Sequence, residues 1–490
     1  ESAEEPLKIN VRGGSRICVP PDLNQAATYV LLEQEDWFED EIRFLRHWLK
    51  PGMQAVDVGA NYGVYTAAMA QSVGPGGRVW SFEPTPSAAD LLQRTLALNG
   101  FAHVGLSSAA VSDRVGTVEF EIGPDSELNK IARAGVPAGE VLRIPAVTLS
   151  QIASTQDWSG VDFIKIDVEE HEPQVIAGGA GFFSKHSPLV MLEVLSDGRF
   201  ETRALEQLKE MEYEFFRLIP GLIVLAPLDH GELDSFHLNV FACKRPFAER
   251  LAAEGCLSPV DSAASSKPDN KAWGSFLESA PYARELAGRW PEKAGFFSDR
   301  GASIYYDGLA SFAQSRDAKQ SASERLAWLR RAFDRVCRAI EQHDTLPRPI
   351  SFARLAWELG LREAATHGLR QAANRIREEA GRAEREPFLA PSLRYEALAA
   401  DAALHDWLEC SVLEQLEKVR AFSSLYGGAA TLSVLEPVFA RPFRSPESER
   451  RRQLVRMRTG IQSEPETHTL LRRASEENLN PAYWCPGKRL

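Results

Sequence analysis

Hydrophobic positions in the first half of the chain switch between two periods. Leu7-Lys-Ile-Asn-Val and Ile17-Cys-Val, parted by Gly13-Gly14, read as two extended segments around a turn. Residues 35–49 read as a helix, because Trp37, Phe38, Ile42, Leu45 and Leu49 recur near helical period and Pro51-Gly52 stops the run. Ala55-Val-Asp-Val then predicts a short buried strand, 64–72 a helix, Arg78-Val-Trp-Ser-Phe a second strand, and 86–99 a helix ended by Asn99-Gly100. Further strands are predicted at 104–111, 117–122, 161–167 and 189–194, with helices at 173–184 and 203–211. Segments 214–218 and 238–242 read as a closing strand pair. Strands alternating with helices imply an α/β domain whose mostly parallel sheet is covered on both faces.

The pattern changes after residue 255. Residues 256–272 are small and polar and read as a linker. Beyond them only helical periodicity is evident. Leu326, Leu329, Phe333, Val336, Cys337 and Ile340 form one apolar stripe, and Leu361, Ala365, Leu369, Ala372 and Ile376 another. The organisation read from the chain is an N-terminal extension at 1–30, an α/β domain at 31–255, a linker at 256–272 and an all-α C-terminal domain at 273–490.

Composition narrows the class. Hydrophobic residues at 44% and charged residues at 25% are ordinary for a globular protein that can bury a core in each half. No apolar run approaches the roughly 18 residues of a membrane span. The six cysteines are dispersed without a CxxC pair, which fits free thiols in a reducing compartment, so a cytoplasmic protein is expected. The net charge of −12 is uneven: the first 250 residues carry 21 basic and 36 acidic residues, the remainder 35 and 32. An acidic first half argues against nucleic acid as partner. The Arg-rich run Arg441, Arg444, Arg450, Arg451, Arg452, Arg456 and Arg458 reads first as the solvated face of a helix and second as a receptor for an anionic glycan or phosphate-bearing carrier.

Three segments carry the candidate chemistry. In Asp57-Val-Gly-Ala-Asn-Tyr-Gly63 a strand runs into a helix through a turn where Gly59 and Gly63 let backbone approach a ligand. Ala60 and Asn61 complete that turn. Glu83, in Phe82-Glu-Pro84, ends the next strand, where a carboxylate can accept ribose hydroxyls. In Asp162-Phe-Ile-Lys165-Ile-Asp167-Val-Glu169-Glu170-His171-Glu172, a strand delivers Asp167 to the ligand-binding edge of the sheet. The crowded carboxylates there are expected to raise the pKa of His171 by stabilising its charged form. Glu169 and Glu172 have the oxygen chemistry of a hard cation site. The spacing is not a diagnostic metal motif, however, and no metal is expected.

These segments, in this order, resemble the FkbM family of methyltransferases from about Glu35 to Glu193. The resemblance includes Leu96-Ala-Leu-Asn99, Ala110-Val-Ser-Asp113 with Gly116-Thr, Ile164-Lys-Ile-Asp-Val-Glu and Pro188-Leu-Val-Met-Leu-Glu193. It implies a Rossmann-like fold for the domain at 31–255, S-adenosyl-L-methionine as cofactor and O-methylation of a hydroxyl, with sugars or polyketide-like products as acceptors. It also implies a lid over the donor from Trp37 and Glu39. Two positions depart from the family pattern: Glu170 stands where Gly is usual, and Thr148-Leu149 precedes Ser150-Gln151 where Asp is usual.

On this reading Asp57, Gly59, Ala60, Asn61, Gly63, Glu83, Pro84 and Asp167 hold the cofactor. His171 is the candidate base for the acceptor hydroxyl, with Asp167 and Glu169 as further catalytic candidates. Glu193 is a weaker candidate for acceptor contact. Asn99 reads as a helix cap, and Tyr483-Trp484 as a tail docked on the helical domain. The leading expectation is an O-methyltransferase of a sugar or glycan, whose helical domain recruits the acceptor or forms a homo-oligomer. The alternatives are an O-methyltransferase of a small secondary metabolite and an inactive binding or scaffold protein.

Overall fold

The computed structural model describes residues 5–460, apart from 124–129, 132–139, 157, 159, 197–198, 201, 230–232, 260–267, 270–271, 285, 288–289, 291–300, 380–385 and 401–402. The aromatic tail at 483–484 and most of the expected linker lie outside the described residues.

The chain opens with a hairpin of β1 (Leu7–Asn10) and β2 (Arg16–Val19), then α1 (Ala26–Gln34) and α2 (Glu41–Trp48). The strand–helix alternation follows: β3 (Gln54–Val58), α3 (Val64–Val73), β4 (Arg78–Phe82), α4 (Pro86–Asn99) and β5 (Val104–Ser107). An inserted group comprises β6 (Ala110–Val111), β7 (Gly116–Ile122), β8 (Lys130–Ile131), β9 (Glu140–Val147) and α5 (Leu149–Thr155). Then come β10 (Phe163–Ile166), α6 (Glu172–Gly178), α7 (Ala180–His186) and β11 (Leu189–Glu193). After the short pair β12 (Leu195–Ser196) and β13 (Arg199–Phe200) come α8 (Thr202–Glu210), β14 (Tyr213–Ile219), β15 (Val224–Pro227), β16 (Asn239–Lys244) and α9 (Arg245–Ala253). The described remainder is helical: α10 (Ala272–Ser279), α11 (Pro281–Arg284), α12 (Ala302–Ser315), α13 (Ala322–Gln342), α14 (Pro347–Glu358) and α15 (Arg362–Glu379). It ends with α16 (Leu393–Glu396), α17 (Leu404–Arg420), α18 (Ser424–Gly427), α19 (Ala430–Phe439) and α20 (Pro446–Arg458).

Eight strands form the central sheet in the order β15-β14-β16-β11-β10-β3-β4-β5. The five from β5 to β11 are parallel, while β16, β14 and β15 run antiparallel at the other edge. The chain moves outward from β3 through β4 to β5, then returns to β10 on the other side of β3. The carboxyl ends of β3 and β10 therefore meet at a topological switch point, the place where open α/β sheets bind ligands. A second sheet, β6-β9-β7-β8, contributes Ala110, Val111 and Phe120 beside that edge.

Several elements differ from the sequence reading for physical reasons. The 104–111 strand is two strands in different sheets, because the chain crosses from β5 to β6 at Ser108-Ala109. The helix expected at 35–49 starts only at Glu41, since Glu35 ends α1 in the left-handed region at φ 55° and residues 36–40 form a turn. Helix α1 was not legible because it is buried on every side and shows no stripe. The expected linker is not wholly a linker: Cys256, Leu257 and Ser258 are buried, and Leu257 bridges to Leu225 of β15. The core of the helical region also takes in Ile219, Val224 and Ala226 from β14 and β15, so the sheet's antiparallel edge and the helices share one apolar cluster.

In the arginine-rich helix α20, Arg450 and Arg451 are buried and ion-paired rather than solvated, while Arg456 and Arg458 stay at least partly exposed. Arg451 is buried against fully buried Glu33 of α1 (3.2 Å) and against Glu447 (3.1 Å). Arg450 donates to the Glu33 carbonyl (2.8 Å) and pairs with Glu35 (3.4 Å). Arg452 pairs with buried Glu449 (3.2 Å), Arg441 binds Asp406 and Glu409, and Arg458 donates to the Leu425 carbonyl (3.0 Å). These arginines tie the C-terminal helices to each other and to the N-terminal segment.

Candidate functional site

The site lies at the switch point. Val58, Gly59, Ala60, Asn61 and Tyr62 form its floor, Glu83, Pro84 and Thr85 one wall, Asp167, Val168, Glu169 and His171 another, and Trp37 the cover. Ala110 and Val111 of β6 and Phe120 of β7 close the side opposite the helices.

The floor depends on glycine. Gly59 has φ +83°, and a Cβ there would stand 1.7 Å from the Asp167 carbonyl oxygen, so no other residue lets the β3 turn pass the end of β10. Gly63 has φ +87°, and a Cβ would meet Leu92 of α4 at 2.2 Å. Gly63 does not line the cleft; it lets α3 pack on α4. Asp57 is also behind the floor rather than in it. Fully buried, it accepts a hydrogen bond from Thr66 (2.5 Å), which contacts Ser81 (2.9 Å). Its Oδ1 has no partner among the described residues. Burial raises its carboxyl, with Lys165 and Thr66 opposing.

Glu83 is locked in place. One carboxylate oxygen accepts the Asn61 N–H (2.8 Å) and the other the Thr85 N–H (2.7 Å). It is 6% exposed, and burial raises its carboxyl against those two donors. The strand-end glutamate and the glycine turn are therefore one hydrogen-bonded unit, which fixes both before any ligand arrives.

The opposite wall is a chain of ionisable groups. Lys165, buried in an otherwise apolar strand, donates to Asp167 (2.8 Å) and lies 5.1 Å from the centroid of the Tyr65 ring. Burial alone would lower its ammonium, but Asp167 and Asp57 outweigh burial and hold it charged. Burial would likewise raise Asp167, yet Lys165 and a hydrogen bond with Glu193 pull it below the ordinary carboxylate range. Glu193, at the end of β11, is pushed well above that range by burial and by Asp167 and Glu169. Burial and the neighbouring carboxylates thus favour the protonated form at Glu193, and Lys165 the ionised form at Asp167. On the far side of Lys165, Tyr65 donates to Glu39, whose carboxyl is raised by burial. Lys165 and Tyr65 were not singled out as site residues. The available signal was a lysine inside the apolar run Phe163-Ile-Lys-Ile, a buried charge that requires partners.

His171 does line the cleft, but not in the expected electrostatic state. Burial, not the carboxylates, dominates: with Arg114 it outweighs Asp113 and lowers the imidazole to about 4. The expectation of a raised pKa is therefore corrected. His171 is neutral near pH 7, and its Nε2 meets the Ser112 hydroxyl (3.0 Å). It occupies the residue before α6 without capping that helix. Glu172, considered with Glu169 as an oxygen donor, instead accepts the Val168 N–H (3.1 Å) and is buried. Carboxylate oxygens of Asp167, Glu169 and Glu193 do lie within 4.8 Å of one another. Asn99 is not just a cap: its amide brackets Arg16, accepting from its N–H (2.8 Å) and donating to its carbonyl (2.7 Å), which pins β2 to α4. Glu170, where the family pattern has Gly, sits at φ 69° directly after Glu169 at φ 50°. The glycine of the pattern thus belongs to a left-handed position that a side chain occupies here at some conformational expense. In the other departure, Thr148 caps α5 by accepting the Gln151 N–H (3.1 Å).

Comparison with known proteins finds likenesses to methyltransferases. Residues 57–218 match the family model for the methyltransferase FkbM domain. The 31-O-demethyl-FK506 methyltransferase FkbM of Streptomyces tacrolimicus is 29% identical over 166 residues, covering 28% of this chain and 63% of that protein. A protein-L-isoaspartate O-methyltransferase of Triticum aestivum is 31% identical over 108 residues, covering 21% of this chain and 44% of that protein. The chain thus spans less than two thirds of these relatives. Among solved structures, the methyltransferase FkbM of Methylobacillus flagellatus KT has 18% identity and a TM-score of 0.27, over 39% of this chain and 43% of that one. The SAM-dependent O-methyltransferase of Thermotoga maritima has 16% identity and a TM-score of 0.27, over 49% and 78%. None of the described helices is long and apolar enough to cross a membrane.

Proposed function

We propose, from the premise that residues 57–218 form an FkbM-family methyltransferase domain, that the chain is an S-adenosyl-L-methionine-dependent O-methyltransferase acting on a hydroxyl of a sugar or glycan. The single observation carrying this reading is the Asn61–Glu83–Thr85 unit, set beside the Gly59 turn and facing Asp167 across the switch point.

The cleft suits such a cofactor. Glu83 retains lone pairs for ribose hydroxyls while its backbone donors hold it still, and Gly59 keeps the floor free of side chain. Ala110, Val111 and Phe120 supply an apolar wall for a purine ring, and Trp37 covers the cleft. When bound, the cofactor supplies a methyl group on a cationic sulfur, open to in-line attack. The chain's own work is to align the acceptor, exclude water and take up one proton. Trp37 and the inserted sheet exclude water. Lys165 keeps Asp167 ionised, so its carboxylate can accept a hydrogen bond from the acceptor hydroxyl. His171, neutral near pH 7 and held by Ser112, takes the hydroxyl proton as the oxygen becomes methylated, through the ring nitrogen that Ser112 does not engage; burial, which disfavours its charged form, makes it a weak base in the unliganded cleft. Glu169, which also lines the cleft, stands ready as a second carboxylate.

The test is transfer of a labelled methyl group from S-adenosyl-L-methionine to pools of neutral glycans and, separately, of small polyols and phenols. Label recovered as a base-stable ether on a sugar supports the reading. Label only on a small aromatic or polyketide-like acceptor favours a secondary metabolite as substrate, and cofactor binding without transfer favours a scaffold.

A further inference from the structure

A second, much larger cavity of about 780 Å³ adjoins the cleft, between the turn at residues 34–43 and helices α14, α16, α17 and α20. The two spaces share a wall. Trp37 lines both, and Glu39 of the chamber bonds to Tyr65 of the cleft. Ligand cavities typically run to about 300–1,000 Å³, so the chamber is of substrate size.

Its chemistry is specific in two ways. Eight basic side chains line it against eight acidic ones. They pair with each other: Arg43 with Asp40 (2.7 Å), Arg354 with Glu358 (2.6 Å), Arg450 with Glu35 (3.4 Å), and both Arg451 (3.1 Å) and Lys418 (3.5 Å) with Glu447. A chamber with equal numbers of formal positive and negative groups, most of them in fixed ion pairs, offers many oriented donors and acceptors without a formal charge excess of either sign. Apolar surface is set among those pairs. Half-buried Trp37, Phe38 and Trp357 face the space, and Leu393, 66% exposed, is one of three exposed large hydrophobic side chains among the described residues. Oriented polar pairs beside flat apolar faces fit a molecule that is uncharged, rich in hydroxyls and apolar on its ring faces.

We propose that this chamber is the acceptor site, and that it takes a neutral oligosaccharide whose terminal sugar passes Trp37 into the methyl-transfer cleft. The proposal rests on the methyltransferase reading above and deepens it by locating the acceptor between the sheet and the C-terminal helices. It also gives the helical half a role: α14, α16, α17 and α20 build the part of the site that holds the acceptor. The Glu39–Tyr65 contact makes the wall between the two spaces sensitive to both.

Saturation-transfer NMR with maltotetraose, cellotetraose and a mannotetraose tests it on the full chain, with S-adenosylhomocysteine titrated into the same samples. At least one neutral tetrasaccharide is expected to bind the wild type. Leu393→Arg, at an exposed position that folding does not depend on, should weaken that binding at least tenfold and leave S-adenosylhomocysteine affinity unchanged. Trp357→Ala, checked for folding by circular dichroism, should do the same. S-adenosylhomocysteine binding with no saccharide binding would overturn the chamber alone, as would saccharide binding indifferent to Leu393→Arg. Preference for a sulfated over a neutral oligosaccharide would also overturn it. Failure to bind S-adenosylhomocysteine would instead overturn the methyltransferase reading beneath it.

Discussion

The cleft at the sheet's switch point and the helix-lined chamber are neighbours built by opposite means. The cleft is made of backbone: a glycine turn, two N–H groups holding one carboxylate, and strand ends brought together by sheet order. The chamber is made of long side chains in ion pairs, most of them between near neighbours in sequence, with Arg450 reaching back to Glu35 (3.4 Å) of the N-terminal segment. A backbone site presents the same fixed donors whatever the acceptor. A side-chain site can be re-lined without disturbing the sheet. On the proposed reading, the α/β half carries the methyl-donor chemistry and the surface facing the helices the choice of acceptor.

The largest effect that would break this comparison is structural. Glu33 is fully buried, and burial raises its carboxyl while Arg451 holds it down. Removing one partner of a buried pair leaves an uncompensated charge, so Arg451→Met should destabilise the chain by about 3–5 kcal/mol in denaturant unfolding. The exposed pair Arg245–Glu249 is the control: Arg245→Ala should change stability by under about 0.5 kcal/mol. Equal effects would mean that the α20 arginines do not join the two halves.

The next effect is catalytic. A general base contributes about 10²–10⁴-fold, so His171→Ala should lower turnover at least about 100-fold while leaving cofactor affinity within twofold. The sign of its pH dependence follows from burial. A histidine lowered to about 4 stays neutral as the pH falls through the usual value near 6.5 and protonates only below about 5. The His171 ring resonances should therefore not titrate between pH 5.5 and 8, and turnover should show no loss near 6.5. Because the pKa is depressed, protonation opposes the folded state, and stability should decline from about pH 6.5 towards 4. A ring titrating near 6.5 would restore the carboxylate-dominated picture that the sequence suggests.

The smallest effect concerns the departure at Glu170. Glycine costs nothing at φ 69°, where an L side chain costs about 1–2 kcal/mol, but glycine also gives up backbone entropy of about 0.5–1 kcal/mol. Glu170→Gly should therefore raise the unfolding free energy by about 0–1.5 kcal/mol in denaturant unfolding, without changing cofactor binding.

What could be read from the sequence follows the same division. Asp57 to Gly63, Glu83 and Asp167 were legible because strand, turn and helix are local and their spacing is written in the chain. Their sharper roles were not. Asp57 and Gly63 shape the floor from behind, which depends on Thr66 and Leu92. The state of His171 depends on burial, with Asp113 and Arg114 of the inserted segment acting on it, and its ring meets Ser112, 59 positions away. Strands β9 and β15 were missed. β9 is interrupted by Pro145 between apolar residues, and β15 is only four residues long. The arginines of α20 were read by composition, but their partners lie in an all-buried helix that has no periodic signature.

The most direct test of the central claim is calorimetric titration of S-adenosyl-L-methionine into the wild-type chain and into Glu83→Ala. A charge-assisted hydrogen bond is worth about 1.5–3 kcal/mol, and Glu83 can make two to a ribose. The account predicts one site per chain in the wild type and at least about 100-fold weaker binding in the variant, which circular dichroism should show to be folded. Absence of binding to the wild type, or equal binding to both proteins, would contradict it.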